Sequence, residues 1–254
     1  MNAERKSHVN KAVNKAAESM LEEEAISVKF NGAHLFTAMV TPGHVKEFVV
    51  GYLYAEELIS SLADIESMRI EDCTASVLTK NPFKMLKRRM VLSGCGSSSS
   101  FLDEKKLKPI STQAHIRKNT VLHGLSTMST ICSDNPSGTT AAALLRDELY
   151  DELCDEACLF QCTDIGLHAA CVTCIGYGLL HATDFSTTVL AISGRIATEI
   201  IRISLICGIP VIISPSLPTR LAVEVAEKMG LCLICSSKET DLAIYSHKEY
   251  IISA

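Results

Sequence analysis

The sequence predicts a layered α/β fold preceded by a small N-terminal α+β unit. Over 187–245, short apolar runs of strand length alternate with segments of helical length, which is typical of parallel strands joined by helices. Over 25–79, strand patterns surround one helix, which indicates a separate mixed unit. With 254 residues the chain is long enough for both. We expect a tail or short helix over 1–24, the small unit over 25–112 and the α/β unit over 113–254.

The small unit is predicted to begin with a hairpin followed by a helix. Ala25–Phe30 alternates apolar and polar residues as a half-buried strand does, and Asn31-Gly32 favours a tight turn. Thr41 suits an N-cap and Pro42 the first helical position, so a helix is expected from there to about Ile59. The other strands predicted for this unit are Ala33–Val40, Asp64–Asp72 and Thr74–Thr79.

The larger unit is predicted to be built from alternating helices and strands. The expected helices are 119–133, 166–180, one from Arg195 to about Gly208 and one within 216–230. The expected strands are one that follows Ser137 and ends at Leu145, then 156–163, 187–192, 210–214, 231–235 and 242–245. Ligands of such sheets collect beyond the C-terminal ends of the strands, where Ser193-Gly194 and Ser214-Pro215 are expected to lie.

Composition excludes some classes of function. A net charge of −5 and a pI near 5.9 argue against general binding to nucleic acid or to a membrane surface. No apolar run reaches the roughly 20 residues that a membrane span needs. No apolar segment follows Met1–Lys6, so we expect no secretion signal. Eleven cysteines in a chain without such a signal indicate a reducing cytoplasm with mostly free thiols.

The segment around Cys95 is the strongest candidate for chemistry. Gly94 and Gly96 flank the cysteine, four serines follow, and a basic run over 84–89 precedes it. The glycines allow an open loop, and nearby cations and backbone N–H groups favour the thiolate, which is the nucleophilic form. The alternative is a flexible Gly/Ser loop with an incidental cysteine.

Two polar sites are predicted around the larger sheet. Ser193-Gly194-Arg195 joins a strand to a helix, where backbone N–H groups and a forked guanidinium suit a phosphate; an ordinary junction with a surface arginine is the alternative. Asp164 at a helix start and His168 four residues later are expected to share a helix face, so that the acid orients the imidazole. An N-cap aspartate with a half-buried histidine is the favoured alternative.

The remaining cysteines favour packing over metal binding. Cys171 and Cys174 would share one helix face, whereas Cys232 and Cys235 lie in a strand-like segment that directs their thiols to opposite faces. A structural zinc needs four well-placed ligands, so buried filler is the preferred interpretation and no metal site is predicted. The sequence leaves open whether Cys154, Cys158 and Cys162 form a helical stripe.

From about residue 25 to 252 the chain resembles the formate dehydrogenase accessory sulfurtransferase (FdhD) family. The segments that carry the resemblance are Phe30-Asn-Gly32, Thr41-Pro42 through Gly51-Tyr-Leu, Glu56-Glu-Leu-Ile, Ser93-Gly-Cys-Gly96, Asp164-Ile-Gly with His168, Ser193-Gly-Arg through Gly208-Ile-Pro-Val, Leu221-Ala-Val-Glu, Gly230-Leu and Tyr245.

The resemblance implies a cytidine-deaminase-like α/β domain, a homodimer and a sulfur carrier. Cys95 would match the persulfide cysteine, which takes sulfur from a cysteine desulfurase and delivers it to molybdenum bis(molybdopterin guanine dinucleotide), bound transiently, before this cofactor enters formate dehydrogenase. By the resemblance and the two polar sites, the expected cofactor-binding residues are Ser236, Ser237, Lys238, Glu239, Thr240, Asp241, Arg195, Asp164 and His168.

Two alternatives remain beside the sulfur carrier. The loop has Ser98 where the family has a second cysteine, and Asp241 adds negative charge to the expected nucleotide site. These changes favour a divergent module that binds a cofactor or partner without sulfur transfer. A zinc deaminase is disfavoured, because its His-x-Glu and Pro-Cys-x-x-Cys signature is absent.

Overall fold

The computed structural model describes residues 20–81, 107–110, 114–135, 138–147, 157–236 and 242–252. The helices within these ranges are α1 (Val45–Ala55), α2 (Lys118–Asp134), α3 (Leu167–Leu180), α4 (Thr198–Cys207) and α5 (Arg220–Met229). The strands are β1 (Glu24–Phe30), β2 (Ala33–Val40), β3 (Ile65–Glu71), β4 (Thr74–Thr79), β5 (Ile116–Arg117), β6 (Thr140–Arg146), β7 (Cys158–Asp164), β8 (Thr188–Ile192), β9 (Val211–Ser214), β10 (Cys232–Cys235), β11 (Ala243–Ser246) and β12 (Ile251–Ile252).

The N-terminal unit is a four-stranded sheet in the order β2-β1-β4-β3, with α1 packed against it. β1 and β2 form the predicted hairpin, and Asn31 and Gly32 both have positive φ, as a tight hairpin turn requires. The alternation of β1 buries Ile26, Val28 and Phe30 on one face. This unit therefore folds as the hydrophobic pattern predicts.

The larger unit is a six-stranded sheet with helices on both faces. Its order is β11-β10-β9-β8-β6-β7; β8, β9 and β10 are parallel, and β6 runs antiparallel to both of its neighbours. Helix α2 covers one face, and α3, α4 and α5 cover the other. The strands β8, β9 and β10 are buried along their whole length, as parallel strands between two helical layers must be.

One continuous apolar core joins the N-terminal sheet, α1, α3 and one face of the larger sheet. Helices α1 and α3 cross at two glycines. A Cβ built on Gly51 or Gly176 would overlap backbone atoms of the opposite helix, Val172 and Glu47 respectively, so only glycine allows this approach. The domain boundaries expected at 24/25 and 112/113 stay predictions.

Two details of the sequence prediction are wrong. Helix α1 begins at Val45, with His44 at its N-cap in the left-handed region, so Thr41 and Pro42 precede the helix instead of opening it. Asp164 is the last residue of β7, paired with Thr140, and the N-cap of α3 is Gly166. In the described ranges, no helix combines the length and the apolar character that crossing a bilayer requires.

Candidate functional site

The C-terminal ends of four strands meet at one edge of the larger sheet. Because β6 is antiparallel to both β7 and β8, strand β7 runs in the same direction as β8, β9 and β10. These strands end at Asp164, Ile192, Ser214 and Cys235. Ser193-Gly194 and Ser214-Pro215 therefore lie where the sequence predicted, at the edge that collects ligands in open α/β sheets.

Serine hydrogen bonds hold the turns at this edge. Ser193 Oγ accepts from the N–H of Ala141 at 2.8 Å, and Ser214 Oγ donates to the carbonyl of Gly194 at 2.7 Å. The N–H of Ser236 donates to the carbonyl of Ser214 at 3.0 Å, and Ser236 is buried. These hydrogen bonds therefore connect the turns after β8, β9 and β10 to one another.

Asp164 connects this edge to the N-terminal unit. One carboxylate oxygen accepts from the N–H of Gly166 at 2.8 Å, and the other accepts from the N–H of Thr41 at 3.0 Å. Burial raises the pKa of Asp164, and these backbone donors offset part of that rise. Both oxygens are occupied by backbone groups, so this arrangement positions the turn between β7 and α3.

The expected Asp164–His168 pair does not form. Asp164 belongs to a strand, so the i,i+4 spacing of a helix does not apply to it. Both ring nitrogens of His168 are shielded from solvent and have no hydrogen-bond partner among the described residues. Burial, with a smaller contribution from the charge of Arg202, lowers the pKa of His168 to about 4. The imidazole is therefore neutral at pH 7.

Arg202 forms a buried ion pair that the sequence analysis missed. Its guanidinium lies 3.2 Å from a carboxylate oxygen of Glu56 and 3.8 Å from one of Glu57, just after α1. The side chains of Arg202 and Glu56 are 6% and 2% exposed, whereas that of Glu57 is 55% exposed. The sequence did contain a signal for this pair, because α4 has one arginine among its isoleucines. A charge buried in an apolar helix requires a partner of opposite charge.

Arg195 is exposed in the turn between β8 and α4. A Cβ on the preceding Gly194 would lie 2.7 Å from a methyl carbon of Leu167, so the turn packs closely against the start of α3. The N-termini of α3 and α4 have no side-chain cap, and both helices begin at this edge. Uncapped N–H groups beside an exposed guanidinium form a favourable environment for an anion.

The structure thus gathers four of the predicted site residues, namely Asp164, His168, Arg195 and Ser236, around one edge of the sheet. The predicted nucleophile Cys95 and the predicted cofactor residues Ser237, Lys238, Glu239, Thr240 and Asp241 lie outside the described residues. Ser236 leads into the second of these segments directly from β10.

A groove of about 670 Å³, lined by both polar and apolar groups, runs along β7, which is one of the two edge strands of the sheet. Its walls are the segment Thr41–His44, one side of α2 from His123 to Asp134, and four residues of β7. Cys158 and Cys162 are among these four, so both are strand residues and not a helical stripe. We call this space the β7 groove.

Two expectations about the packing of the other cysteines are confirmed. Cys232 and Cys235 of β10 belong to the cores on opposite faces of the sheet, as the strand alternation predicted. Cys171 and Cys174 are fully buried on α3. Among the described residues, no group of three or more His, Cys, Asp or Glu side chains is placed to hold a metal ion.

Comparisons with known proteins give the family. The FdhD/NarQ family profile matches residues 21–252. The sulfur carrier protein FdhD of Thermoplasma acidophilum is 31% identical and covers 93% of this chain and 88% of its own length. The sulfur carrier protein FdhD of Staphylococcus haemolyticus is 30% identical, with 92% and 90% covered.

A solved structure has the same fold. It is a Desulfotalea psychrophila protein assigned as a formate dehydrogenase accessory protein, with a TM-score of 0.69, 16% identity and coverage of 91% of this chain and 90% of that one. With the profile match across nearly the whole chain, these comparisons show that the chain belongs to the FdhD/NarQ family.

Proposed function

We propose that this protein is a sulfur carrier that serves formate dehydrogenase. The observation that carries the proposal is the match to relatives named sulfur carrier protein FdhD over more than nine-tenths of the chain. The matched range, 21–252, includes the Gly94-Cys95-Gly96 loop. In this proposal Cys95 carries sulfur from a cysteine desulfurase to molybdenum bis(molybdopterin guanine dinucleotide).

The transfer needs one thiol on this chain. The Cys95 thiolate attacks the terminal sulfur of the donor's persulfide, a new S–S bond forms on Cys95, and the donor cysteine leaves as a thiolate that takes up a proton. In the second step an electron-pair donor on the cofactor cargo attacks the terminal sulfur held by Cys95. A bond forms between that sulfur and the cargo, which supplies the two electrons, the S–S bond on Cys95 breaks, and Cys95 leaves as a thiolate. The absence of a second cysteine at Ser98 therefore leaves the carrier step possible.

The cofactor cargo would bind at the C-terminal edge of the sheet. Its guanine nucleotides carry phosphates, and the exposed Arg195 lies near the uncapped N-termini of α3 and α4. Ser236 begins the segment through Asp241 that the family resemblance assigns to the cofactor. Asp164 and His168 shape this edge: the first fixes the turn before α3, and the second is a neutral imidazole in the first turn of α3.

The first test measures sulfur on Cys95. The protein is incubated with a cysteine desulfurase and L-cysteine, then digested with trypsin, which releases Cys95 in the peptide 90–105, where it is the sole cysteine. We expect this peptide to gain about 32 Da, one sulfur atom, and Cys95→Ala to abolish the gain.

Cys73→Ala is the matched control for this test. Cys73 is exposed, but its hydrogen bond to the Glu24 carboxylate favours the thiol form and raises its pKa, so loading should not change. If the protein stays unloaded while a two-cysteine relative is loaded in parallel, the sulfur-carrier proposal is wrong. The divergent module that binds a cofactor or partner without sulfur transfer would then be the better account.

The second test measures nucleotide binding with GDP as the probe. Arg195→Ala should weaken GDP binding by roughly tenfold or more, the size of one lost charged hydrogen bond, in isothermal titration calorimetry. Lys29→Ala removes an exposed cation on β1, in the other sheet, and should leave binding unchanged. No measurable GDP binding by the parent protein would contradict the cofactor part of the proposal.

The remaining parts of the proposal concern architecture and partners. We propose that the larger unit, a sheet between two helical layers, belongs to the cytidine-deaminase-like fold class. We also propose that the protein is a cytoplasmic homodimer. Its proposed partners are a cysteine desulfurase and formate dehydrogenase apoenzyme, with no nucleic acid or membrane involved. Light scattering coupled to size-exclusion chromatography tests the dimer, and co-purification with each named enzyme tests the partners.

A further inference from the structure

Two cysteines that are distant from the proposed nucleophile in sequence meet beside the β7 groove. Cys162 of β7 lines the groove and is 9% exposed, whereas Cys174 of α3 is fully buried behind it. Their sulfur atoms are 3.7 Å apart, which is van der Waals contact. The pair joins two elements, with Cys162 in the wall of the groove and Cys174 fully buried behind it.

The geometry of the pair favours an internal reaction. The Sγ of Cys162 also donates to the carbonyl of Ala170 at 3.2 Å, so this sulfur is held against α3. A disulfide requires the two sulfurs to approach from 3.7 Å to about 2.0 Å. The lining of the groove includes His44, His123, Thr127 and Gln161, so a small hydrophilic molecule can enter it.

We propose that Cys162 and Cys174 are a redox-active thiol pair that reduces a low-molecular-weight disulfide entering the β7 groove. This activity is separate from the proposed sulfur transfer by Cys95. It does not depend on the residues at the C-terminal edge of the sheet.

The exchange occurs in two balanced steps. The thiolate of Cys162 attacks one sulfur of the reagent RSSR, a mixed disulfide forms, and RS⁻ leaves with a proton to become RSH. Cys174, after losing its proton, then attacks Cys162 Sγ, the internal disulfide forms, and the second RSH leaves. The two protein thiols are oxidised and one RSSR is reduced to two RSH.

The internal disulfide would enclose the turn that shapes the sheet edge. Residues 163–173 lie between the two cysteines, and they include Asp164, Gly166 and His168. Before oxidation this turn is held by the hydrogen bonds of Asp164. A covalent link between β7 and α3 would restrict it further, so oxidation and site geometry are coupled in this proposal.

The test uses mass spectrometry on the full-length protein. The reduced protein is treated with excess bis(2-hydroxyethyl) disulfide, the remaining thiols are alkylated, and the chain is cleaved before aspartate, because trypsin has no site between Arg146 and Arg195. Cleavage before Asp155, Asp164 and Asp184 places Cys162 in peptide 155–163 and Cys174 in peptide 164–183. We expect these two peptides joined, with a loss of about 2 Da relative to their reduced masses.

Four alanine variants assign the bond within those peptides. Cys162→Ala and Cys174→Ala should each abolish the link, whereas Cys171→Ala and Cys158→Ala should retain it. Unlinked wild-type peptides, under conditions that modify the exposed Cys73 and Cys132, would overturn the proposal and leave the pair as core filler. A link that persists in Cys174→Ala would overturn it as well. Unlinked wild-type peptides overturn the proposal even if a variant fails to fold.

Discussion

The crossing of α1 and α3 gives a direct test of the packing. In Gly176→Ala, the new Cβ would overlap the carbonyl oxygen of Glu47 and lie 2.6 Å from its carbonyl carbon. Real Cβ atoms do not approach backbone this closely, so the helices must separate by roughly 1 Å in a close-packed core. We expect the substitution to destabilise the protein.

The size of the effect follows from two opposing contributions. Alanine is favoured over glycine inside a helix by about 1 kcal/mol. Overpacking costs about 1–3 kcal/mol and occasionally more, and here the obstacle is backbone, which cannot change rotamer. Because the overlap is with a rigid group, we expect a cost at or above the top of that range and a net loss of about 2 kcal/mol or more. Urea unfolding followed by circular dichroism measures it.

Gly124→Ala is the matched control. Gly124 is also inside a helix, but its new Cβ would overlap only a terminal methyl of Ile213 and lie 3.1 Å from a methyl of Leu145, and both side chains can rotate. We expect a change within about 1 kcal/mol of zero, since the gain in helix propensity offsets the repacking. If Gly176→Ala is as stable as Gly124→Ala, the close helix crossing is wrong.

Three further substitutions test charge, protonation and capping. Arg202→Met should cost about 3–5 kcal/mol in urea unfolding, because it removes the guanidinium that lies 3.2 Å from the buried Glu56 carboxylate. Glu57→Gln should cost less than about 1 kcal/mol, because Glu57 is exposed. The double variant Arg202→Met/Glu56→Leu should recover stability, and a mild effect of Arg202→Met alone would refute the buried ion pair. Since the folded pKa of His168, about 4, is below its ordinary value of 6.5, the stability that depends on its neutral form is complete above pH 6.5 and is lost as pH falls toward 4. The loss is on the order of 3 kcal/mol at pH 4, and the urea midpoint of His168→Gln should fall less steeply than that of the wild type over this range; parallel curves would contradict it. Thr219 accepts from the N–H of Ala222 as the N-cap of α5, so Thr219→Val should cost about 1 kcal/mol in the same assay, and an unchanged midpoint would refute the cap.

The hydrophobic pattern predicted most elements, because periodicity reports which face a residue buries. β2 and β4 have the predicted bounds, and the alternation of Cys232 and Cys235 is correct. The predicted start of α1 was wrong because local capping rules favoured Thr41-Pro42. In the structure the N–H of Thr41 donates to the Asp164 carboxylate, and the helix begins only at Val45. Contacts of this kind join residues more than 100 positions apart, and no local pattern encodes them.

The same reason explains why the sequence located the edge of the sheet but not the contacts made there. Strand ends can be counted along the sequence, so the edge with Ser193 and Ser214 was found. The hydrogen-bonding and ion-pair partners of the charged groups could not be found in this way. Asp164 and Arg202 both bind groups of the N-terminal unit, at Thr41 and at Glu56. Because these charges anchor that unit, the proposed nucleotide binding would rest on other groups at the edge, among them the exposed Arg195. A variant at Asp164 or Arg202 would therefore lose nucleotide binding together with stability, whereas Arg195→Ala should lose binding with an unchanged urea midpoint. That separation distinguishes a residue that contacts the ligand from residues that hold the site in place.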